Sequence, residues 1–302
     1  IEVNSSGATG SLLEYVYDAD NRVTSTRDIA KRVVETEYNK RGLRTTLTYE
    51  GGREQLFAYD NDSRVTRIQD TVNEVIEQVF TYTYDGNSNR KGIEDLNGSR
   101  TTYLYDAKDR LIEDATSGTN AHTSTYTWDS RDNMLTHNEA GPVTTLTFDA
   151  ASRLVTGTRG SDPITFTYDA NGNLTQVAET TEQWVMTWDK ENRLFEQDEQ
   201  QSEVYTAFYY DPFSRKTAEF VDGGVTNELH WLDDMIVAQG TFGEVWKTFI
   251  QSDGVFVGEV EDVGGQNNTN YYMVDGLGSI TGETDETNTV WNERRFTPFG
   301  KV

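Results

Sequence analysis

The 302-residue sequence contains no cysteine, only four prolines and only three histidines. Without cysteine there are no disulfides and no thiolate metal ligands, and the redox compartment stays open, because large secreted repeat proteins can dispense with both. His122, His137 and His230 stand at unrelated positions with no two-His helical spacing, which gives a catalytic metal no footing. No run approaches the roughly 18 apolar residues of a membrane span, and the sequence opens at Ile1 without a charged-then-apolar leader, as a piece of something longer would. Positive charge is scarce: 26 Lys and Arg against 51 Asp and Glu give a net charge of −25. Such a field repels phosphate backbones and anionic membranes, so nucleic acid is not expected as a partner, and the excess acid reads as solubility of a large sheet surface. Long helical periods are also missing. A chain only 35% hydrophobic but 12% aromatic fits sheets held by Tyr, Trp and Phe more than by a thick aliphatic core.

What the sequence does have is a repeat, and repeats are read first. Trp188-Asp189-Lys190-Glu191-Asn192-Arg193-Leu194 returns with drift along most of the chain. Its anchoring aromatics are Tyr17, Tyr38, Tyr59, Tyr84, Tyr105, Trp128, Phe148, Tyr168, Trp188 and Tyr210, at intervals of 20 to 25 residues. The residue after each anchor is Asp, apart from Asn39. Four after the anchor comes a turn former: Asn21, Gly42, Ser63, Ser88, Asp109, Asp132, Ser152, Gly172, Asn192 or Ser214. Asp and Asn bond backbone N–H groups two residues on, and Gly or Asn accepts the positive φ of a tight reversal, so this is a hairpin turn. Two residues before the anchor the position is apolar or aromatic in nine of ten copies, Thr36 being the exception, and that period of two means a strand. A second strand starts after the turn, often as Arg followed by an aliphatic residue, as in Arg22-Val23, Arg64-Val65 and Arg193-Leu194.

A hairpin of about 20 residues cannot bury an apolar face alone, so successive hairpins must pair edge to edge. The expected fold is all-β: a β-solenoid or spiral of successive antiparallel hairpins forming a curved strip or part of a hollow shell. Constant twist should wind such a strip, on the order of 100 Å long, into an open arc. The interval from Tyr59 to Tyr84 is longer, and Thr71 to Thr81 must hold the extra residues as longer strands or a bulge. Past Tyr210 the aromatic-Asp signature fades, although alternation persists through Val245-Trp246-Lys247 and Val255 to Val260. Residues 1–229 are thus read as the hairpin array and 230–302 as divergent strands that could cap it.

Aromatic-Asp-x-x-(Gly/Asn/Ser)-(Arg/Asn)-Leu at intervals of about 20 residues resembles the YD repeat of the Rhs family. The tail resembles the start of that family's associated core segment: Tyr272, Asp275, Leu277, Gly278 and Ser279 match Y-x-x-D-x-L-G-S, and Trp291 with Pro298, Phe299 and Gly300 matches W…Y-D-P-F-G. Thr297 stands where the family has Asp, and Met273 where it often has His, so neither position is assigned chemistry. The resemblance implies a wall segment of a hollow shell, as in bacterial Rhs toxins, the C subunits of insecticidal toxin complexes and the teneurins. The shell encapsulates or presents a C-terminal toxin or effector of the same parent polypeptide, and is secreted or on the cell surface.

No enzymatic constellation is visible. Gly276-Leu277-Gly278-Ser279 lacks the pattern of a nucleophile elbow. Asp18-Ala19-Asp20-Asn21 starts like a calcium loop, but Arg22 takes the next ligand position. The expectation is a non-catalytic structural segment without cofactor or metal. The alternative is a cell-surface adhesion or carbohydrate-binding module, with surface glycans or a partner shell protein as its partners.

Overall fold

In the computed structural model the described residues are 13–28, 33–118, 121–139, 141–222, 224–232, 235–241, 244–252, 255–263, 266–285, 289–291 and 294. They form 27 β-strands in one sheet, and no helix occurs among them. Each recorded ladder is antiparallel and joins a strand to its neighbour in sequence, from Leu13–Tyr17 with Val23–Asp28 to Ile280–Thr284 with Val290–Trp291. The ten anchors define ten hairpins, the first made by those two opening strands and the tenth by Val204–Tyr210 and Lys216–Val221. The long interval is accommodated as expected: strands Val65–Val72 and Val75–Tyr84 are extended, with a register shift at Asp70/Thr71.

The chain divides into two compact units, residues 1–100 with 230–302 and residues 101–229. Of the twenty buried hydrophobic residues described, only Tyr126, Ile164 and Ala207 belong to the second unit. There, every substantial strand contact is between sequence neighbours, so the sheet has a half-covered aromatic face and an exposed face rich in threonine. Cross-strand hydroxyl pairs such as Thr127 with Thr136 (2.6 Å) and Thr167 with Thr175 (3.1 Å) run along the exposed side.

In the first unit, the tail strands pack face to face on the opening hairpins. Val34, Leu47 and Tyr49 meet Ile250, Val257, Val260 and Tyr271 in one core, with the Tyr49 and Tyr271 rings 4.8 Å apart. Polar contacts pin the two layers: Thr26 Oγ1 donates to the Gln251 carbonyl (3.0 Å), Arg53 Nη2 to the Tyr272 carbonyl (2.7 Å) and Thr281 Oγ1 to Gln78 Oε1 (2.8 Å). Thus strands Glu244–Ser252, Val255–Val263 and Gln266–Val274 cover a sheet face of the first unit, where the sequence suggested a cap on the end of a strip. The physical reason is composition: these strands alternate apolar residues on a second face, and the opening hairpins supply Val34, Leu47 and Tyr49 to bury it.

Candidate functional site

The chemistry-bearing residues of the repeat all fall on one edge of the sheet, where the anchored turns lie. In every copy the turn former four after the anchor has positive φ, from 60° at Asp109, Ser152 and Asn192 to 90° at Gly172. Its N–H closes a β-turn on the carbonyl of the residue after the anchor, as Asn192 does on Asp189 at 3.1 Å. The strand register slips beside nine of the anchors, as at Val16/Tyr17 and Thr187/Trp188, so this is a turn followed by a left-handed bulge residue. The Asp carboxylate holds it shut. Asp189 Oδ1 accepts the N–H groups of Glu191 and Arg193 (both 2.9 Å), and Oδ2 accepts Arg193 Nε (2.6 Å). Asn39 uses its single side-chain oxygen in the same way, accepting from Arg41 and Leu43.

The anchors solve a different problem. Between consecutive hairpins the ladder stops short of the turns, at pairs such as Thr46↔Leu56, Thr156↔Thr165 and Glu196↔Ala207. This leaves a carbonyl near each turn without a strand partner, which a polar-tipped aromatic from the next hairpin can satisfy. Tyr38 OH donates to the Val23 carbonyl, Tyr59 to Arg44, Tyr84 to Val65, Trp128 Nε1 to Leu111, Tyr168 to Leu154, Trp188 Nε1 to Leu174 and Tyr210 to Leu194, all at 2.7–2.8 Å. Phe148 has no such donor. The anchors are half-buried, and Tyr17, at the first hairpin, is 44% exposed.

The Arg after the turn serves both neighbours. While bonded to its own Asp, it lies over the next anchor: Arg22 over Tyr38, Arg64 over Tyr84, Arg110 over Trp128, Arg153 over Tyr168 and Arg193 over Tyr210, at 4.8–5.7 Å. These are the odd-numbered hairpins. In hairpins four, six and eight Asn89, Asn133 and Asn173 donate to their Asp instead, so Arg and Asn alternate from hairpin three to hairpin nine; Leu43 in hairpin two and Arg215, bonded to Asp211 in hairpin ten, depart from the alternation.

Of the tail motif, Asp275, Leu277, Gly278 and Ser279 build the same turn: Gly278 N–H bonds the Asp275 carbonyl (3.0 Å), and Asp275 Oδ1 accepts from Leu277 (2.8 Å) and Ser279 (3.0 Å). Asp95, with Asn97, Gly98 and Ser99, makes one too. Neither Asp follows an aromatic, which is why the anchored motif did not reveal them. Gly276 lies against Tyr82, whose hydroxyl accepts the Gly276 N–H at 2.7 Å, and a Cβ there would sit 2.9 Å from that ring. Tyr272 OH donates to Glu259, which also takes Lys247 at 2.9 Å; burial first, and that carboxylate second, push the Tyr272 hydroxyl far above its usual range. Trp291 is exposed, and Pro298, Phe299 and Gly300 lie outside the described residues. The structure thus ties seven of the anchors to the preceding hairpin and places the tail turn in the first unit. Among the described residues no cluster of three or more His, Asp or Glu side chains is placed to hold a metal, and no helix is long and apolar enough to cross a membrane.

Hairpins of one kind, locked by a repeated Asp turn and an aromatic from the next copy, define a YD-repeat β-hairpin array. Residues 17–54 match the RHS Repeat family model, so the chain carries an Rhs repeat there. No curated protein matches the chain. Among solved structures, it resembles the Photorhabdus luminescens Tc holotoxin pore at 14% identity and a TM-score of 0.57, over 95% of this chain and 18% of that one. It resembles the TcdB2-TccC3 crystal structure at 14% identity and a TM-score of 0.51, over 96% of this chain and 20% of that one. The chain therefore has the all-β fold found in these Tc toxin structures and spans about a fifth of their length.

Proposed function

We propose that this chain is a non-catalytic wall segment of a larger secreted or surface-exposed YD-repeat protein, in which the wall encloses or presents an effector of the same polypeptide. The observation that carries this reading is the turn ladder. Every chemistry-bearing residue type of the repeat is consumed in joining one hairpin to the next: the carboxylate by its own turn, the aromatic tip by the preceding carbonyl, the guanidinium by both. Such a device extends a sheet and commits these side chains to structural bonds, which supports a non-catalytic reading. The likeness in fold to Tc toxin structures supports a wall role, and the effector and its release are the proposal's own content.

The test is limited proteolysis of the full polypeptide encoded with this chain, compared with any downstream domain expressed alone. Enclosure predicts that the downstream domain survives while the repeats are intact and is digested once they unfold. Equal digestion rates in the two preparations would overturn it.

A further inference from the structure

We infer that Asp114, His122 and Ser124 form a structural site for a single Zn²⁺ ion on the covered face of hairpins five and six, outside the turn ladder and independent of the wall reading. Strands Leu111–Ser117 and His122–Trp128 pair across the junction of these two hairpins, with Asp114 opposite Ser124 and Thr116 opposite His122. Side chains alternate along the second strand: Thr123, Thr125 and Thr127 are exposed, while His122, Ser124 and Tyr126 turn to the covered face that Asp114 shares. Three residues able to ligate a metal therefore meet at one corner of the ladder, two spaced i, i+2 on one strand and the third directly across from Ser124.

This corner is polar where the preceding hairpins are apolar. Nine residues after the anchor stand Leu47, Ile68 and Ile93 in hairpins two to four, and Asp114 in the fifth. Asp114 and Ser124 are each 1% exposed, and neither Asp114 Oδ1 nor Ser124 Oγ has a hydrogen-bond partner. The buried Asp70 is answered by Arg53 and Gln55, whereas among the described residues Asp114 pairs with neither Arg nor Lys. Its contacts are the Tyr126 hydroxyl, 3.5 Å from Oδ2, and His122 Nε2, 4.0 Å from Oδ1. A carboxylate taken out of water is retained where it is paired or holds a metal. Tyr126 occupies one oxygen and leaves the other facing His122, as an outer group does when it orients a metal ligand.

The donor set selects the ion. Calcium and magnesium want a shell of oxygens larger than this corner supplies, whereas a carboxylate oxygen, an imidazole nitrogen and a hydroxyl, with water in the fourth position, suit four-coordinate zinc. At about 2.0–2.2 Å from each donor, one ion reaches both Nε2 and Oδ1 across their 4.0 Å separation, and closing to a tetrahedral angle draws the two together by less than about 1 Å. The His122 side chain is 29% exposed, which gives the ion a way in. Bound there, the ion joins hairpin five to hairpin six in the unit that holds only three of the twenty buried hydrophobic residues described, where the core is thin and a metal tie adds most.

The experiment strips the full 302-residue chain with a chelator and titrates it with Zn²⁺ by calorimetry in excess Mg²⁺, which occupies the many surface carboxylates. A single ion should bind saturably and raise the melting temperature of the stripped protein, as a ligand of the folded state does. Asp114→Asn and His122→Ala should each lose both the binding and the rise, and Ser124→Ala should weaken binding by about 10–100-fold, the range for a supporting group. His137→Ala and His230→Ala, which remove the other two histidines, should bind as the parent does. Circular dichroism of the stripped variants separates a lost ligand from a lost fold, and the half-buried His122 is the substitution that disturbs packing least. If the parent binds no Zn²⁺ in excess Mg²⁺, ordered water satisfies Asp114 and Ser124 and the inference is overturned. Binding that survives both Asp114→Asn and His122→Ala, or that is lost in His137→Ala or His230→Ala, puts the ion elsewhere and overturns it equally.

Discussion

A single atom distinguishes the anchors that couple hairpins by hydrogen bond from Phe148. Seven anchors reach a carbonyl of the preceding hairpin with a hydroxyl or indole N–H, and Phe148, at the corresponding junction, cannot. Removing the hydroxyl in Tyr59→Phe should leave the Arg44 carbonyl unpaired and cost about 1 kcal/mol. Adding one in Phe148→Tyr should recover a bond toward Met134, the residue at the equivalent position, and stabilise by about 0.5–1.5 kcal/mol. Urea unfolding of both variants checks the pair, and a neutral or destabilising Phe148→Tyr would mean that the anchor tip is not the coupling element. The turn formers were legible in the sequence for a good reason: left-handed backbone restricts residue type at that one place, and Asn21, Gly42, Ser63 and the rest write the constraint out. What the anchors do was not legible, because an aromatic at a fixed spacing looks the same whether it fills a core or caps a carbonyl. Their partial exposure and paired tips decide between those roles.

At the scale of the hairpin, the turn is an electrostatic object. All nine turn carboxyls, from Asp18 to Asp211, are held below the usual carboxylate range. The Asp106 carboxyl is lowered to about 2 by the side-chain hydrogen bond from Arg110, against partial desolvation and with help from the Arg110 and Lys108 N–H groups. A carboxyl depressed in the folded state contributes stability above its unfolded pKa, about 3.9, and loses that contribution as pH falls through the folded value. The array should therefore lose thermal stability mainly between about pH 4 and about pH 2, with many turns failing over one interval. Asp106→Asn tests the assignment, because Asn39 already shows that an amide oxygen can hold the backbone of this turn without the ion pair. The melting temperature of the variant should lie below that of the parent at pH 7, and the two should converge toward pH 2. A gap of constant size across that range would assign the effect to the turn backbone and not to the charge. The Asp95 turn, unseen in the sequence for want of a preceding aromatic, and the Asp275 turn of the tail motif show that the Asp and the left-handed residue are sufficient to form the turn.

At the scale of the whole chain, sequence periodicity could describe what repeats but not the packing of distant strands. The tail's place on the opening hairpins depends on pairs more than 200 residues apart, and no local pattern encodes such a pairing. Its centre is a fully buried ion pair: Arg53 Nη2 bonds Asp70 Oδ1 (2.6 Å) and the Tyr272 carbonyl (2.7 Å), Gln55 bonds the other Asp70 oxygen (3.0 Å), and the guanidinium lies 4.3 Å from the Tyr49 ring centre. Burial pushes the Asp70 carboxyl up, and Arg53 and Gln55 pull it back. A pair of this kind costs desolvation that its attraction only partly returns, so its worth lies in register: Arg53 can reach both Asp70 and the Tyr272 carbonyl only when the tail sits on the opening hairpins in this alignment. Asp70→Ala, which leaves a buried guanidinium without its counter-ion, should destabilise the first unit by about 3–5 kcal/mol. Arg53→Met with Asp70→Leu, which removes both charges and keeps much of the volume, should fall within about 1–2 kcal/mol of the parent in either direction. Hydrogen exchange in strand Glu244–Ser252 reads the alignment separately from the stability. The double variant should keep those amides protected if the apolar core alone sets the register, and should expose them if the ion pair does. A wild-type exchange pattern in Asp70→Ala, with no loss of stability, would show that the tail is held without this pair.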